Sequence, residues 1–398
     1  MRIKKIRGLP LIILLVAILA FLSDLSNSAT SPTVSLRALD LGATKSFIGT
    51  MMAASALIRL IIVQPVGLMC DRKDPRYFLV IGFLLYITNY LFLIFASSPY
   101  HILIGQLISG IGSAMFYTAS VVSILQTSKE RTALSIGIYA TMMGFGFSLG
   151  PTIGGMLAET YSYSISYIFS ILVSFVAVLI GLLVNKIEDI QVVQKTNQNK
   201  EHFSYRKILS NKELLLVSLG AFFTSEALGN STGFFPIFGK GIMLSEGTIG
   251  IILGIRALSS TIVRIPVGRI AETFGSKRLM LISMVLSAFG LFLVPQFNSI
   301  WLIPFFLSLE GIGYGMFLTT ANAHIGEITT ENQKGAAVGI YNTFSAVGSV
   351  LNMIILGIIA DSFGVENTFR FTAIMISSGL VLMIVILLRK NDIIINKA

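Results

Sequence analysis

Twelve long apolar runs dominate the chain, near residues 9–31, 46–69, 77–97, 100–126, 132–158, 164–184, 213–237, 246–268, 278–297, 300–325, 335–360 and 368–388. Each reaches the roughly 20 residues that a helix needs to cross a bilayer. The runs are continuous and not alternating, which argues against a porin-like barrel. Backbone groups in lipid must be satisfied within each segment, so every run is expected to be a helix. Charge is too sparse for a water-soluble surface. Of 398 residues, 54% are apolar and 12% charged, whereas a soluble domain carries about 25% charged residues. A soluble enzyme and a disordered chain are thereby excluded.

The distribution of Lys and Arg sets the orientation. With a cytoplasmic N-terminus, 22 of the 29 fall in inner segments. The outer segments hold Arg37, Lys45, Lys240 and Arg370, and Arg59, Arg256 and Arg264 lie within runs. Such a bias is the positive-inside signature and puts both termini in the cytoplasm. It also accounts for the net charge of +10 without a nucleic-acid partner. The first run has the outline of a cleavable signal, with Arg2, Lys4, Lys5 and Arg7 before Leu9–Leu22 and Ser26-Asn27-Ser28-Ala29 after it. An internal repeat requires it instead as a permanent helix.

That repeat has an offset of about 201 residues. Pro65-Val66-Gly67 recurs as Pro266-Val267-Gly268, and Gly110-Ile111-Gly112 as Gly311-Ile312-Gly313. Gly137-Ile138-Tyr139 recurs as Gly339-Ile340-Tyr341, and Ala20-Phe21 as Ala221-Phe222. The matches occupy corresponding runs of two six-helix halves, a parallel duplication. The expected organisation is an N-terminal bundle over 1–184, a polar cytoplasmic linker over 185–211 and a C-terminal bundle over 212–398.

The segment after the second run reads Gly67-Leu68-Met69-Cys70-Asp71-Arg72-Lys73-Asp74-Pro75-Arg76, and its counterpart runs from Gly268 through Glu272 to Lys277 and Arg278. With the twelve runs, the duplication and the long central loop, these residues resemble the major facilitator superfamily, whose loop motif is Gly-x-x-x-Asp-Arg-x-Gly-Arg-Lys. The resemblance implies twelve helices in two pseudo-symmetric bundles and transport by alternating access. It implies a cytoplasmic gating role for Gly67, Asp71, Arg72, Arg76, Gly268, Glu272 and Lys277. Asp74 stands where the family has Gly, so the turn is expected to differ. The fifth run carries Gly146, Gly150, Pro151, Gly154 and Gly155, similar to the family's antiporter motif, whereas the eleventh has Asn352-Met353. This asymmetry implies export against protons. One departure opposes it: Gln106 occupies the fourth-run position where proton-coupled exporters of the family have Arg.

Ionisable residues at depth are costly and so point to function. They are Asp24, Arg59, Glu226, Arg256 and Glu310, taken as the substrate and proton pathway. At about 1.5 Å per residue, Glu226 lies about 21 Å from the inner edge and Arg256 about 18 Å, so these two are expected to pair. Glu310 is expected apart from any cation, free to carry a proton. The three histidines, His101, His202 and His324, are read as interfacial or solvated. The single cysteine, Cys70, excludes an internal disulfide. No nucleophile–base set and no phosphate-binding loop occurs, so neither enzyme activity nor a metal or cofactor is expected. The expectation is a monomeric multi-pass protein of the plasma membrane, exchanging a small, partly apolar molecule for protons. Uptake of a sugar or organic anion, or a non-transporting receptor, are the alternatives.

Overall fold

The computed structural model describes residues 5–6, 9–70, 72–127, 131–185, 211–330 and 333–395. Apart from a two-residue antiparallel pairing of Lys5–Ile6 with Leu9–Pro10, it is built of helices. These are α1 (Leu11–Ala29), α2 (Ser31–Asp40), α3 (Lys45–Cys70), α4 (Arg76–Ile94), α5 (Pro99–Thr127), α6 (Thr132–Thr160) and α7 (Tyr163–Asn185). Beyond residues 186–210 follow α8 (Lys212–Gly233), α9 (Phe235–Gly241), α10 (Glu246–Phe274), α11 (Ser276–Leu293), α12 (Leu302–Ile328), α13 (Lys334–Phe363) and α14 (Glu366–Ile395). The expected linker lies almost wholly outside the described residues.

Among the described residues, eleven helical stretches are long and apolar enough to cross a membrane. The remaining expected run is α8, which is helical but interrupted by Thr224, Ser225, Glu226, Asn230, Ser231 and Thr232. Large apolar side chains remain exposed along the helices, among them Leu68, Leu183, Ile265 and Val381. This is the outward face expected of a chain solvated by lipid. The first run is longer than expected. It continues past a break at Thr30 into α2, with Pro32 in the first turn, where a missing N–H costs nothing. In the second half α8 breaks before α9, again beside a proline, Pro236. Gly275 and Gly364, at φ +88° and +93°, make the sharp turns into α11 and α14 that a side chain would strain.

The described residues divide into two compact units, one within Met1–Lys200 and Phe235–Gly254, the other within Glu201–Phe234 and Ile255–Ala398. Phe235–Gly254 thus groups with the first unit, although it belongs to the second half of the sequence. In the first unit α1 packs on α6 and α7, and α5 on α3 and α4; in the second, α8 packs on α13 and α11 on α12.

Each unit repeats the same close helix crossings. A Cβ on Gly67 would touch Thr118 at 4.0 Å, and one on Gly268 would touch Thr319 at 4.0 Å. A Cβ on Gly110 would strike the carbonyl oxygen of Ser55, and one on Gly311 that of Arg256. Gly146 meets the Phe21 carbonyl as Gly348 meets that of Phe222. Lipid offers little hydrophobic drive between helices, so backbone approach at small residues carries much of the packing.

Candidate functional site

In the second unit the α10–α12 crossing is set by Gly311, which leaves no room between its Cα and the Arg256 backbone. The preceding residue, Glu310, is thereby brought onto the Arg256 side chain. Nε of Arg256 donates to one carboxylate oxygen at 2.6 Å and Nη2 to the other at 2.6 Å. Both side chains are almost wholly buried, at 2% and 0% exposure. The guanidinium also lies over the Tyr314 ring, 5.1 Å from its centroid. The Ser231 hydroxyl on α8 donates to the same carboxylate at 3.5 Å.

This corrects the expected pairing. Arg256 takes Glu310 and not Glu226, because level in the membrane does not choose a partner; the face presented at a helix crossing does. Glu310 is therefore not the carboxyl set apart from a cation. Glu226 is. It is fully buried on α8, and neither of its carboxylate oxygens has a hydrogen-bond partner among the described residues. A buried charge without donor or counter-ion is expensive, and its neutral form escapes most of that cost.

In the first unit Asp24, on α1, accepts a hydrogen bond from the Tyr117 hydroxyl on α5. Asp24 is buried and Tyr117 half-buried. Arg59, on α3, is exposed. The Gly-Pro stretch of α6 has two working faces. A side chain at Gly146, Gly150 or Gly154 would strike the α1 backbone at Phe21, Leu25 or Ala29. Gly155 and Pro151 face the opening turns of α10, where a Cβ on Gly155 would strike the Glu246 carbonyl and one on Gly250 the Pro151 carbonyl. At the end of this face the Glu159 carboxylate accepts from the Gly247 N–H at 3.0 Å and the Ser245 hydroxyl at 2.9 Å, capping the positive end of α10. Tyr163 donates to Glu246 at 3.2 Å, and Lys240 pairs with Glu246 at 2.6 Å.

Of the first loop motif, Asp71 lies outside the described residues, and Arg72 is exposed. Arg76 is buried. It pairs with Asp74 at 2.5 Å and donates to the Val184 carbonyl at 3.2 Å, a cation held at the negative end of α7. Asp74, the residue that departs from the family pattern, thus supplies the partner of Arg76. In the second copy Glu272 is exposed, while Lys277 pairs with Glu213 at 3.0 Å.

His324, read from the sequence as interfacial or solvated, is buried. Its Nδ1 lies 2.9 Å from Glu327 and its Nε2 3.3 Å from Glu213. The start of α8 and the end of α12 close around it, at the back of an open cleft of about 560 Å³ that Glu272 and Lys277 also line. The three-residue spacing of His324 and Glu327 on one helix was the signal available for it. Glu159, Glu213 and Tyr117 were not singled out from the sequence, since each gains its role from a residue far along the chain. Among the described residues no cluster of His, Cys, Asp and Glu could hold a metal ion.

A family model described as Major Facilitator Superfamily matches residues 16–238 and 217–394. An uncharacterized MFS-type transporter of Methanocaldococcus jannaschii is 25% identical over 368 residues, covering 90% of this chain and 93% of that one. Multidrug resistance protein 1 of Bacillus subtilis is 24% identical over 353 residues, covering 85% of this chain and 86% of that one. The crystal structure of a point mutant of the nucleoside transporter NupG shares the fold, with a TM-score of 0.76 at 14% identity over 94% of this chain and 99% of that one.

Proposed function

The chain belongs to the major facilitator superfamily and is an integral membrane transporter, not an enzyme; from that premise we propose that it exports a small, partly apolar compound in exchange for protons. The observation that carries the proposal is Glu226, a fully buried carboxyl with no hydrogen-bond partner among the described residues. A proton carrier must change charge during the cycle. Glu310 cannot do so cheaply, since losing its charge would strand Arg256. Glu226 can: it has no hydrogen-bond partner among the described residues to strand, so a proton can join it and leave it as the transporter opens it to water on one face and then the other. Alternating access then moves the proton from one face to the other.

Export is supported by the Gly-Pro helix and by a relative named for multidrug resistance. Arg256 is held by Glu310, so one of the two cations that would suit an anion is already neutralised, which favours export over anion uptake. The same reading places the protein, as a monomer, in the plasma membrane with both termini cytoplasmic, its bundles of residues 1–184 and 212–398 joined by the cytoplasmic stretch 185–211.

The test is transport in proteoliposomes with an imposed pH gradient. Wild-type flux is expected to follow the gradient. Glu226→Gln should keep substrate binding and exchange while losing the response to pH. A Glu226→Gln variant whose flux still follows the gradient would remove Glu226 from the mechanism.

A further inference from the structure

The α8–α13 crossing of the second unit keeps the register of the α1–α6 crossing of the first. A Cβ on Gly146 would strike the Phe21 carbonyl, and one on Gly150 would lie 2.8 Å from the Leu25 carbonyl oxygen. The repeat puts Asn352 in the place of Gly150 and Glu226 in the place of Leu25. Contacts on either side fix the level. A Cβ on Gly348 would strike the Phe222 carbonyl and lie 2.8 Å from the Ser225 hydroxyl, and one on Gly229 would strike the end of the Met353 side chain. Asn352 and Glu226 lie between these contacts. Both are buried, at 1% and 0% exposure. Neither the Asn352 amide nitrogen nor either Glu226 oxygen has a hydrogen-bond partner among the described residues. A buried donor and a buried acceptor, both unpaired on one crossing, each carry a desolvation cost that bonding to each other would recover. Packing does not call for an amide here, since the first unit makes the same crossing with Gly150.

The other helices packed on α8 are α11, α12 and α14. Glu310 on α12 is held by Arg256, and Tyr314 lies under the same guanidinium. Tyr341 on α13 is the remaining titratable group at depth; the other charged residues of these helices stand near their ends. None of them acts on the Glu226 carboxyl, which feels burial alone.

We propose that Asn352 is a positioning residue for proton coupling: its amide N–H donates to the Glu226 carboxylate once the proton has left for water. This rests on Glu226 being the proton carrier. The two side chains are unbonded in this structure, so the bond belongs to the ionised stage of the cycle. A carboxylate only accepts, and a hydrogen bond to a charged acceptor is roughly twice as strong as one between neutral groups. The amide therefore favours the ionised form over the protonated one and eases proton release from a site that has no other donor.

The experiment is an infrared difference titration of the purified full-length protein in nanodiscs, following the carboxyl band that Glu226→Gln removes. Asn352→Leu, which keeps the volume and loses the donor, should move the midpoint of that band up by about one pH unit, a tenfold gain in proton affinity. Asn352→Gln, which keeps an amide, should stay closer to wild type. Asn352→Ala makes the same test if the Leu variant fails to fold, since the counterpart Gly150 shows that a small residue suits the crossing. The pH profile of flux in proteoliposomes should move with the band. A midpoint equal to wild type in Asn352→Leu or Asn352→Ala would overturn the role of Asn352. A shifted midpoint in a protein whose flux ignores pH would support the pair and refute proton-coupled export. A wild type with pH-driven flux, but with no titrating band lost in Glu226→Gln, would overturn the pair and leave export against protons standing.

Discussion

Replacing Glu310 by Gln would leave the Arg256 guanidinium enclosed by α10, α12 and α8 without a counter-charge. The magnitude follows from the geometry. Two parallel bonds of 2.6 Å put the charge centres about 4 Å apart, where an effective dielectric of about 20 gives about 4 kcal/mol. Breaking one side of a buried pair costs about 3–5 kcal/mol in practice, because the surviving charge stays desolvated. Replacing both partners with apolar residues of similar size removes the charge and its penalty together. A double-mutant cycle therefore separates the terms. Glu310→Gln and Arg256→Met should each lower the melting temperature in detergent and the folded yield sharply. Arg256→Met combined with Glu310→Met should recover most of the loss. The pH response of transport in whatever folded Glu310→Gln survives should persist. A Glu310→Gln protein that melts with wild type, or a double variant worse than both singles, would refute the reasoning.

Further perturbations test other parts of the structure. A Cβ at Gly154 would strike the Ala29 carbonyl, whereas one at Gly137 meets nothing within 4 Å. Gly154→Ala should thus destabilise by about 1–3 kcal/mol and Gly137→Ala stabilise by about 0.5–1 kcal/mol, both read by thermal unfolding; similar behaviour of the two would discount the α1–α6 contact. A cysteine at Ser98 or Asn298, in a chain with Cys70 replaced, should react with an impermeant thiol reagent from outside intact cells, and one at Asn197 only after lysis; the reverse labelling would invert the topology. Asp71→Asn should reduce flux with expression maintained, as the gating role implied by the family motif requires; normal flux would leave the motif a topological signal only.

The helices and the duplication were legible because their causes are local. Lipid demands apolar length, and crossings demand small residues, so Gly110 and Gly311 announce themselves in one dimension. The halves even break alike, and Pro32 and Pro236 were there to mark α2 and α9, although hydropathy ran straight past them. The charged residues were legible as costly but not as pairs. Counting residues puts Glu226 and Arg256 at similar depth, yet partner choice depends on helix rotation, which one residue changes by about 100°. The signal that would have corrected the pairing was present: Glu310 directly precedes the glycine that sets the crossing on Arg256. Tyr117 and Asp24 are separated by 93 residues, and a tyrosine among many aromatic residues in apolar helices carries no mark of its acid partner.

The shared crossing of Gly110 with Ser55 and Gly311 with Arg256 has a consequence for how such a chain can change. At both junctions the glycine packs against a backbone carbonyl, a contact that does not depend on which side chains Ser55, Ser109, Arg256 and Glu310 carry, so those positions can diverge while the crossing is kept. The first unit has Ser55 and Ser109 in this place; the second has Arg256 and Glu310. Duplication thus handed each half the same socket and left its contents open. A sequence of this kind can acquire a charged pair, lose one or move it between halves, and still fold around the same glycines.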